Sequence, residues 1–136
     1  MIDHISIGVC DLARATRFYE SVLGTIGYAK LDVRPKTVGF GKRYSEFWLN
    51  HRPAMPAITA ESGSHVCLRV PTAQAVDAFH AAALAGGGTS DGAPGERPHH
   101  GDGYYAAFIR DPDGNRIEAV TFLKRVDVSV RSPTSV

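Results

Sequence analysis

The 136-residue sequence predicts an α+β fold made of two similar modules, each with the element order β-α-β-β-β. Three observations support this: an internal repeat, alternating apolar residues at the start of each repeat, and helical spacing after them. The segment DHISIGVCDLARATRFYESVLGTIG aligns without a gap on SHVCLRVPTAQAVDAFHAAALAGGG. His4 falls on His65 and Gly27 falls on Gly88, so the offset is 61 residues. The repeat therefore indicates that one structural unit occurs twice.

Each repeat opens with a predicted strand and continues with a predicted helix. In residues 4–9 and 65–70 apolar and polar side chains alternate, which is typical of a strand with one face toward the core. Each polar face begins with a histidine. Asp11 and Thr72 stand where a helix needs an N-terminal cap, and apolar residues follow at helical spacing. Glycines close both helices.

Three strands are expected after each helix. They are Tyr28–Val33, Thr37–Phe40 and Ser45–Asn50 in the first module, and Gly88–Ser90, Tyr104–Arg110 and Arg116–Phe122 in the second. The sequence DPDG at 111–114 predicts the turn between the last two. The segment 91–103, DGAPGERPHHGDG, is rich in Gly, Pro and charged residues, so we expect a functional loop without regular structure there.

These boundaries define a single domain over residues 1–123. Module one covers about 1–58 and module two about 62–123. The last residues, 124–136, lose the pattern and are expected to form a C-terminal extension.

The composition argues against several function classes. Lys and Arg total 15, Asp and Glu total 14, and neither sign clusters, so we expect no nucleic-acid partner. No apolar run approaches the ~20 residues of a membrane helix, so no membrane association is expected. Two cysteines make no disulfide framework, which favours a cytoplasmic location.

The opening DHISIGVCDLARATRFY and the later YYAAFIRDPDGNRIEAV, together with the paired modules, resemble the glyoxalase, bleomycin-resistance and extradiol-dioxygenase superfamily. Its members are also called vicinal oxygen chelate proteins. The resemblance covers about residues 1–123 and is most specific in DPDGNRIEAV, where a tight turn precedes a strand with an inward glutamate. It implies that the two modules pair into a cup-shaped mixed sheet with the helices outside, and that the protein is a homodimer.

The resemblance also implies a divalent metal inside the cup, with ligands on the first and last strand of each module. It assigns His4, His65 and Glu118 to three of these positions. The fourth falls in SEFWLN, where Glu46 and Trp48 share one face and either residue is a candidate. Zn, Ni, Fe and Mn are the candidate metals.

The number of ligands separates the possible activities. His4, His65 and Glu118 alone form the two-histidine, one-carboxylate triad of Fe(II) oxygenases. Adding Glu46 gives a shell that resembles that of glyoxalase I, whose metal acts as a Lewis acid. The leading expectation is a metal-dependent glyoxalase-like lyase or isomerase acting on a small molecule with vicinal oxygens. A non-haem Fe(II) extradiol-type dioxygenase and a metal-free protein that binds aromatic or drug-like molecules are the alternatives.

Further residues are assigned roles at this site. Glu118 and Tyr104 are the candidates for proton transfer. Four residues are candidates for substrate binding: Arg69, Trp48, Tyr105 and His100. Because Tyr104 and Tyr105 are adjacent in a strand, one of them is expected to face the cup.

Two other features are predicted to be structural. Asp111, Asp113 and Asn115 alternate like calcium ligands, but no bidentate glutamate follows at the required distance, so they are interpreted as turn residues. Cys67 shares the polar face of His65 and is interpreted as a space-filling residue.

Overall fold

The computed structural model describes residues 1–124 and arranges them in two four-stranded sheets, each with one helix. Module one contains β1 (Ile5–Val9), α1 (Leu12–Gly24), β2 (Ala29–Val33), β3 (Thr37–Gly41) and β4 (Ser45–His51). Module two contains β5 (Val66–Arg69), α2 (Ala73–Ala85), β6 (Thr89–Glu96), β7 (Tyr104–Arg110) and β8 (Arg116–Phe122). The predicted α+β class with two βαβββ modules is confirmed. The predicted C-terminal extension lies, apart from Lys124, outside the described residues.

The two sheets have the same strand order, which supports the internal repeat. The orders are β1-β4-β3-β2 and β5-β8-β7-β6. In both, the first strand runs parallel to the last, while the other neighbours are antiparallel. Both helices have 13 residues, and their starts at Leu12 and Ala73 repeat the offset of 61. This order leaves β1 and β5 at the edges of their sheets.

Both helices begin at the predicted caps. The Asp11 side chain accepts a hydrogen bond from the Arg14 amide at 3.0 Å, and the Thr72 hydroxyl accepts one from the Ala75 amide at 3.1 Å. Each cap satisfies an amide that has no partner within the helix. The helices bury their apolar faces against the sheets and contact each other. The core therefore lies on the helix side, and the opposite faces of the sheets are available for a site. No helix in residues 1–124 is both long and apolar enough to cross a membrane.

The expectation of an irregular loop over 91–103 is wrong for its first half. Strand β6 continues through this segment to Glu96, and a short 3-10 turn follows at Pro98–His100. The strand tolerates Pro94 because it lies at the edge of its sheet. Its pairing with β7 shifts register between Ser90 and Gly92 and again before Gly95. Such bulges accommodate glycine-rich sequence in a strand.

The DPDG turn connects β7 to β8 and contacts module one through hydrogen bonds, and its acidic residues are structural as expected. Asp111 is 4% exposed and accepts hydrogen bonds from the amides of Asp113 and Asn115. The buried Tyr19 hydroxyl of α1 donates to Asp111 Oδ2 at 2.6 Å. Asn115 Nδ2 donates to the Gly8 carbonyl of β1 at 2.9 Å. This network fixes module two against module one, and hence the cleft between their edge strands.

Candidate functional site

A cleft of about 440 Å³ lies where the edge strands β1 and β5 approach each other. We call it the central cleft. Four of the predicted site residues line it: His4, Glu46, His65 and Arg69. The alternation of β1 and β5 turns their apolar side chains toward the helices, so their polar faces border this cleft.

Glu118 forms the buried part of the site. It is 3% exposed, although it carries a carboxylate. Its Oε1 lies 3.1 Å from His65 Nε2, and its Oε2 accepts a hydrogen bond from the Tyr104 hydroxyl. The His65 side chain is 52% exposed. The site thus combines a buried carboxylate with an accessible imidazole, because β8 pairs directly with β5.

Two neighbours of Glu118 are held in their protonated forms. Burial, followed by the hydrogen bond to Glu118, raises the pKa of Tyr104. Burial, followed by the charge of Glu118, raises the pKa of Cys67 to about 12. At neutral pH Tyr104 is therefore a hydrogen-bond donor. Cys67 is a thiol, but its side chain is exposed, so the interpretation as a space-filling residue is wrong.

His4 and Glu46 contribute polar groups from module one. His4 Nδ1 lies 2.7 Å from Asp3 Oδ2, and because a carboxylate only accepts, Nδ1 is assigned the proton. The lone pair of His4 Nε2 is then left for another partner. Burial, followed by hydrogen bonding with Glu46, raises the pKa of Tyr28 to about 12. Tyr28 was not predicted, and no motif around it offers a reason to single it out.

The donor atoms of His65 and Glu118 fit one edge of a metal coordination shell. With bonds of about 2.1 Å, neighbouring ligands of an octahedral ion lie ~3 Å apart. The observed separation between Nε2 and Oε1 is 3.1 Å. No group of three His, Cys, Asp or Glu residues within residues 1–124 is arranged to hold a metal ion. The described chain therefore presents two adjacent donors, with His4 and Glu46 elsewhere along the same cleft.

The sequence matches the profile of the Glyoxalase/Bleomycin resistance protein/Dioxygenase superfamily over residues 1–119. The chain belongs to this superfamily. A glyoxalase/bleomycin resistance protein from Albidiferax ferrireducens T118 is 32% identical, with a TM-score of 0.74 over 87% of this chain and 95% of that one. No curated protein is significantly similar to the chain in sequence.

More distant members of the superfamily share the fold. A family enzyme from Burkholderia phytofirmans PsJN is 23% identical, with a TM-score of 0.68 over 90% of this chain and 98% of that one. A fosfomycin resistance protein, FosX, from Listeria monocytogenes is 16% identical, with a TM-score of 0.65 over 88% of this chain and 91% of that one. At these identities the likeness concerns the fold alone.

The two residues expected as candidates for a fourth ligand, Trp48 and Glu46, lie in different surroundings. Trp48 pairs with Ser6 of β1 as Glu118 pairs with Cys67 of β5, so Trp48 occupies the position equivalent to Glu118. Its ring lies 5.1 Å from the Arg34 guanidinium and lines a shallower site than the central cleft. Glu46 lines the central cleft with His65.

The remaining predicted residues divide between the candidate site and the helix side of module two. The His100 ring lies 5.2 Å from that of Tyr104 and so borders the site. The Arg69 guanidinium lies 4.7 Å from the Phe122 ring. Tyr105 instead donates from its hydroxyl to Asp77 of α2 at 2.6 Å, because its side chain points to the helix side of β7. This placement removes Tyr105 from the candidate site.

Sequence reasoning also passed over Arg116. It stands two residues before Glu118 in β8 and therefore shares its face, which was the available indication.

Proposed function

We propose that this superfamily member is a small metal-dependent glyoxalase-like lyase or isomerase whose substrate carries two vicinal oxygens. The observation that carries the proposal is the buried Glu118 carboxylate, which lies 3.1 Å from His65, a residue that lines the central cleft together with His4 and Glu46. Burying a carboxylate is costly, and unlike Asp111, whose partners are backbone amides, Asn115 and Tyr19 of the module interface, Glu118 has an imidazole and a phenol as its partners. A site that uses the carboxylate explains its position.

His65 Nε2 and Glu118 Oε1 would hold a divalent ion such as Zn, Ni, Fe or Mn. His4 Nε2, from the partner subunit of the dimer proposed below, would supply a further donor, and its Nδ1 contact with Asp3 resembles the outer partner that orients ligand imidazoles. Glu46 is the other candidate ligand. When bound, the ion would supply Lewis-acid stabilisation of charge on the substrate oxygens.

The other groups of the site would orient the substrate and move protons. The Glu118 carboxylate would accept a proton from the substrate, while the Tyr104 hydroxyl holds Oε2 in place. Arg69 at the rim of the cleft would orient the substrate by its charge. His100, whose ring lies 5.2 Å from that of Tyr104, would shield this side from water.

We further propose a homodimer in which the cleft of one chain is completed by the other. The adjacent pair His65 and Glu118 offers two donors within one described chain, and His4 of a partner subunit would bring the third. A cytoplasmic location is also proposed, since Cys10 and Cys67 are both free thiols.

The test is metal stoichiometry. Chelator-treated protein would be titrated with Zn(II), Ni(II), Mn(II) or anaerobic Fe(II) and analysed by calorimetry and elemental analysis. About one ion per chain is expected, lost in Glu118→Gln and in His65→Ala. The control is Glu20→Gln, which removes the same charge from the exposed side of α1 and should leave stoichiometry unchanged. Metal binding that survives Glu118→Gln would refute the site.

A dioxygenase and a lyase would differ in metal preference. Selective Fe(II) binding, with oxygen consumption in the presence of a vicinal diol, would favour the dioxygenase.

A metal-free binding protein is the second candidate function. The observation that favours it is that both Glu118 oxygens already have protein partners, His65 and Tyr104. In that case polar groups of the cleft would bind a ligand directly. Trp48 is the single tryptophan of the chain and lies beside His4, so its fluorescence reports ligand binding in chelator-treated protein. Quenching by aromatic ligands, in protein that takes up no metal, would support this candidate.

A further inference from the structure

A second cleft, of about 190 Å³, adjoins the candidate site on the other side of His65. We call it the side cleft. It is lined by His65, Ser64, Asp91, Phe108 and Arg116, among others. His65 lines both this cleft and the central cleft, so the two clefts are neighbours on either side of its side chain.

The charges of the side cleft do not balance. Asp91 Oδ1 lies 3.0 Å from Arg110 Nη2, and Asp91 Oδ2 lies 3.5 Å from Arg116 Nε. Among residues 1–124, Asp91 is the single carboxylate within ion-pair distance of either guanidinium. Within this ion-paired cluster one carboxylate stands between two guanidinium groups, and the more distant Glu61, whose charge interacts with that of Arg116, offsets only part of the remaining positive charge. A third guanidinium, that of Arg97, lies 5.6 Å from the Phe108 ring and adds to the positive potential.

The hydrogen-bonding groups of this cluster are also incompletely used. Among the described residues, Arg116 forms a single ion pair, and it does so through Nε. Its side chain is 30% exposed. Arg110 Nε is buried and has no hydrogen-bond partner within residues 1–124. Arg116, which lines the side cleft, is therefore the guanidinium of this cluster that a ligand in the cleft can reach.

Size and shape indicate what the cleft accepts. At ~30 Å³ for each water-sized group, 190 Å³ holds about six such groups. The ring of Phe108 provides an apolar surface, and the fork of a guanidinium matches two oxygens of one anionic group. A carboxylate, phosphate or phosphonate with a short carbon chain has these dimensions.

We propose that the side cleft binds the anionic end of the substrate, with Arg116 as the specificity-determining residue. The substrate class is then a small organic oxyanion whose vicinal oxygens lie beside His65 and Glu118. This inference rests on the proposed function for the reacting end of the molecule, but the anion site stands on its own contacts.

The experiment measures binding of inorganic phosphate to the chelator-treated full chain by calorimetry and by amide chemical shifts. Arg116→Gln is expected to weaken binding by roughly tenfold or more, as for loss of a charge-assisted hydrogen bond. Asp91→Asn is expected to tighten binding, because it removes the competing carboxylate. Arg17→Gln removes an equal charge from an exposed position on α1 and should change little. Circular dichroism of each variant checks that it is folded.

The outcomes separate this inference from the proposed function. Phosphate binding that Arg116→Gln weakens and Asp91→Asn strengthens supports the anion site, whether or not the chain binds metal. Equal affinity of wild type and Arg116→Gln, or no binding up to ~10 mM phosphate, overturns it. Metal titration of the same variants tests the other proposal, since Arg116→Gln should retain the metal that Glu118→Gln loses.

Discussion

Removing the hydroxyl of Tyr19 is expected to destabilise the protein in a pH-dependent way. The hydroxyl is buried and donates to Asp111 Oδ2 at 2.6 Å, joining α1 of module one to the turn of module two. A hydrogen bond to a charged group contributes ~1.5–3 kcal/mol. Asp111 keeps two amide donors and Asn115 Nδ2 in Tyr19→Phe, so its carboxylate stays partly satisfied. We therefore expect a loss near the middle of that range, ~2 kcal/mol.

A matched control exists within the same chain. Tyr105 also donates to an aspartate, Asp77 Oδ1, at the same distance of 2.6 Å, but this pair is exposed. Water replaces an exposed hydrogen bond, so Tyr105→Phe should cost less than ~1 kcal/mol. Burial is then the variable that separates the two substitutions.

The dependence on pH follows from the pKa of Asp111. Burial raises this pKa above its ordinary 3.8, and hydrogen bonds from Tyr19 and Asn115 partly offset the effect. Tyr19→Phe removes one offset, so the pKa of Asp111 in the folded state rises further. When an acid has a higher pKa in the folded than in the unfolded state, its contribution to stability is fully present below the pKa of the unfolded state and is lost as the pH rises through the pKa of the folded state. The deficit of Tyr19→Phe should therefore be smaller at pH 4 than at pH 7.

The assay is urea unfolding at both pH values, analysed with a common slope. With a slope of ~2 kcal/mol per molar, a loss of ~2 kcal/mol moves the midpoint by about 1 M. The prediction would be refuted if Tyr19→Phe lost no more stability than Tyr105→Phe, or lost the same amount at pH 4 as at pH 7. The buried hydrogen bond between Tyr19 and Asp111 would then not stabilise the contact between the modules.

Two further predictions concern the turn and the thiol. Gly114 has φ +93°, and an added Cβ would lie 2.2 Å from the Ile58 carbonyl oxygen, so Gly114→Ala should lower the free energy of unfolding by ~2–3 kcal/mol. Gly63 is the control: it has φ +70° but open space around it, so Gly63→Ala should lower the free energy of urea unfolding by only ~1 kcal/mol. Burial and then the charge of Glu118 raise the pKa of Cys67 to about 12. In a protein that lacks the other cysteine, Glu118→Gln should therefore lower the pKa of Cys67 and speed its alkylation at pH 8. An unchanged alkylation rate would contradict the proximity of the two groups.

The repeat and its elements could be predicted because local patterns determine them. The period-two alternation at residues 4–9 identified β1, and the caps Asp11 and Thr72 identified the helix starts to the residue. Strand β6 was underestimated, because its Gly and Pro residues depend on an edge position and on bulges against β7. Neither the edge nor the register is encoded locally.

Local sequence also could not predict which of Tyr104 and Tyr105 lies on the site side of β7. Alternation predicts that one of them faces the cup, but only the register with β8 decides which. In that register Tyr104 reaches Glu118, and Tyr105 turns to α2. The side cleft was missed because Asp91 and Arg116 are distant in sequence and meet only when β6, β7 and β8 assemble.

The strand order explains why a histidine begins the first strand of each module. In both sheets the first strand lies at the edge and pairs in parallel with the last. A residue at the start of that strand therefore borders the gap between the modules, beside residues of the last strand. In module two Glu118 of the last strand pairs with Cys67, two residues after His65, whereas module one has Trp48 at the equivalent position and Glu46 two residues earlier. The two modules thus share one scaffold but differ in the residue at this position, and this difference is why the proposed site assigns its central role to the carboxylate of module two.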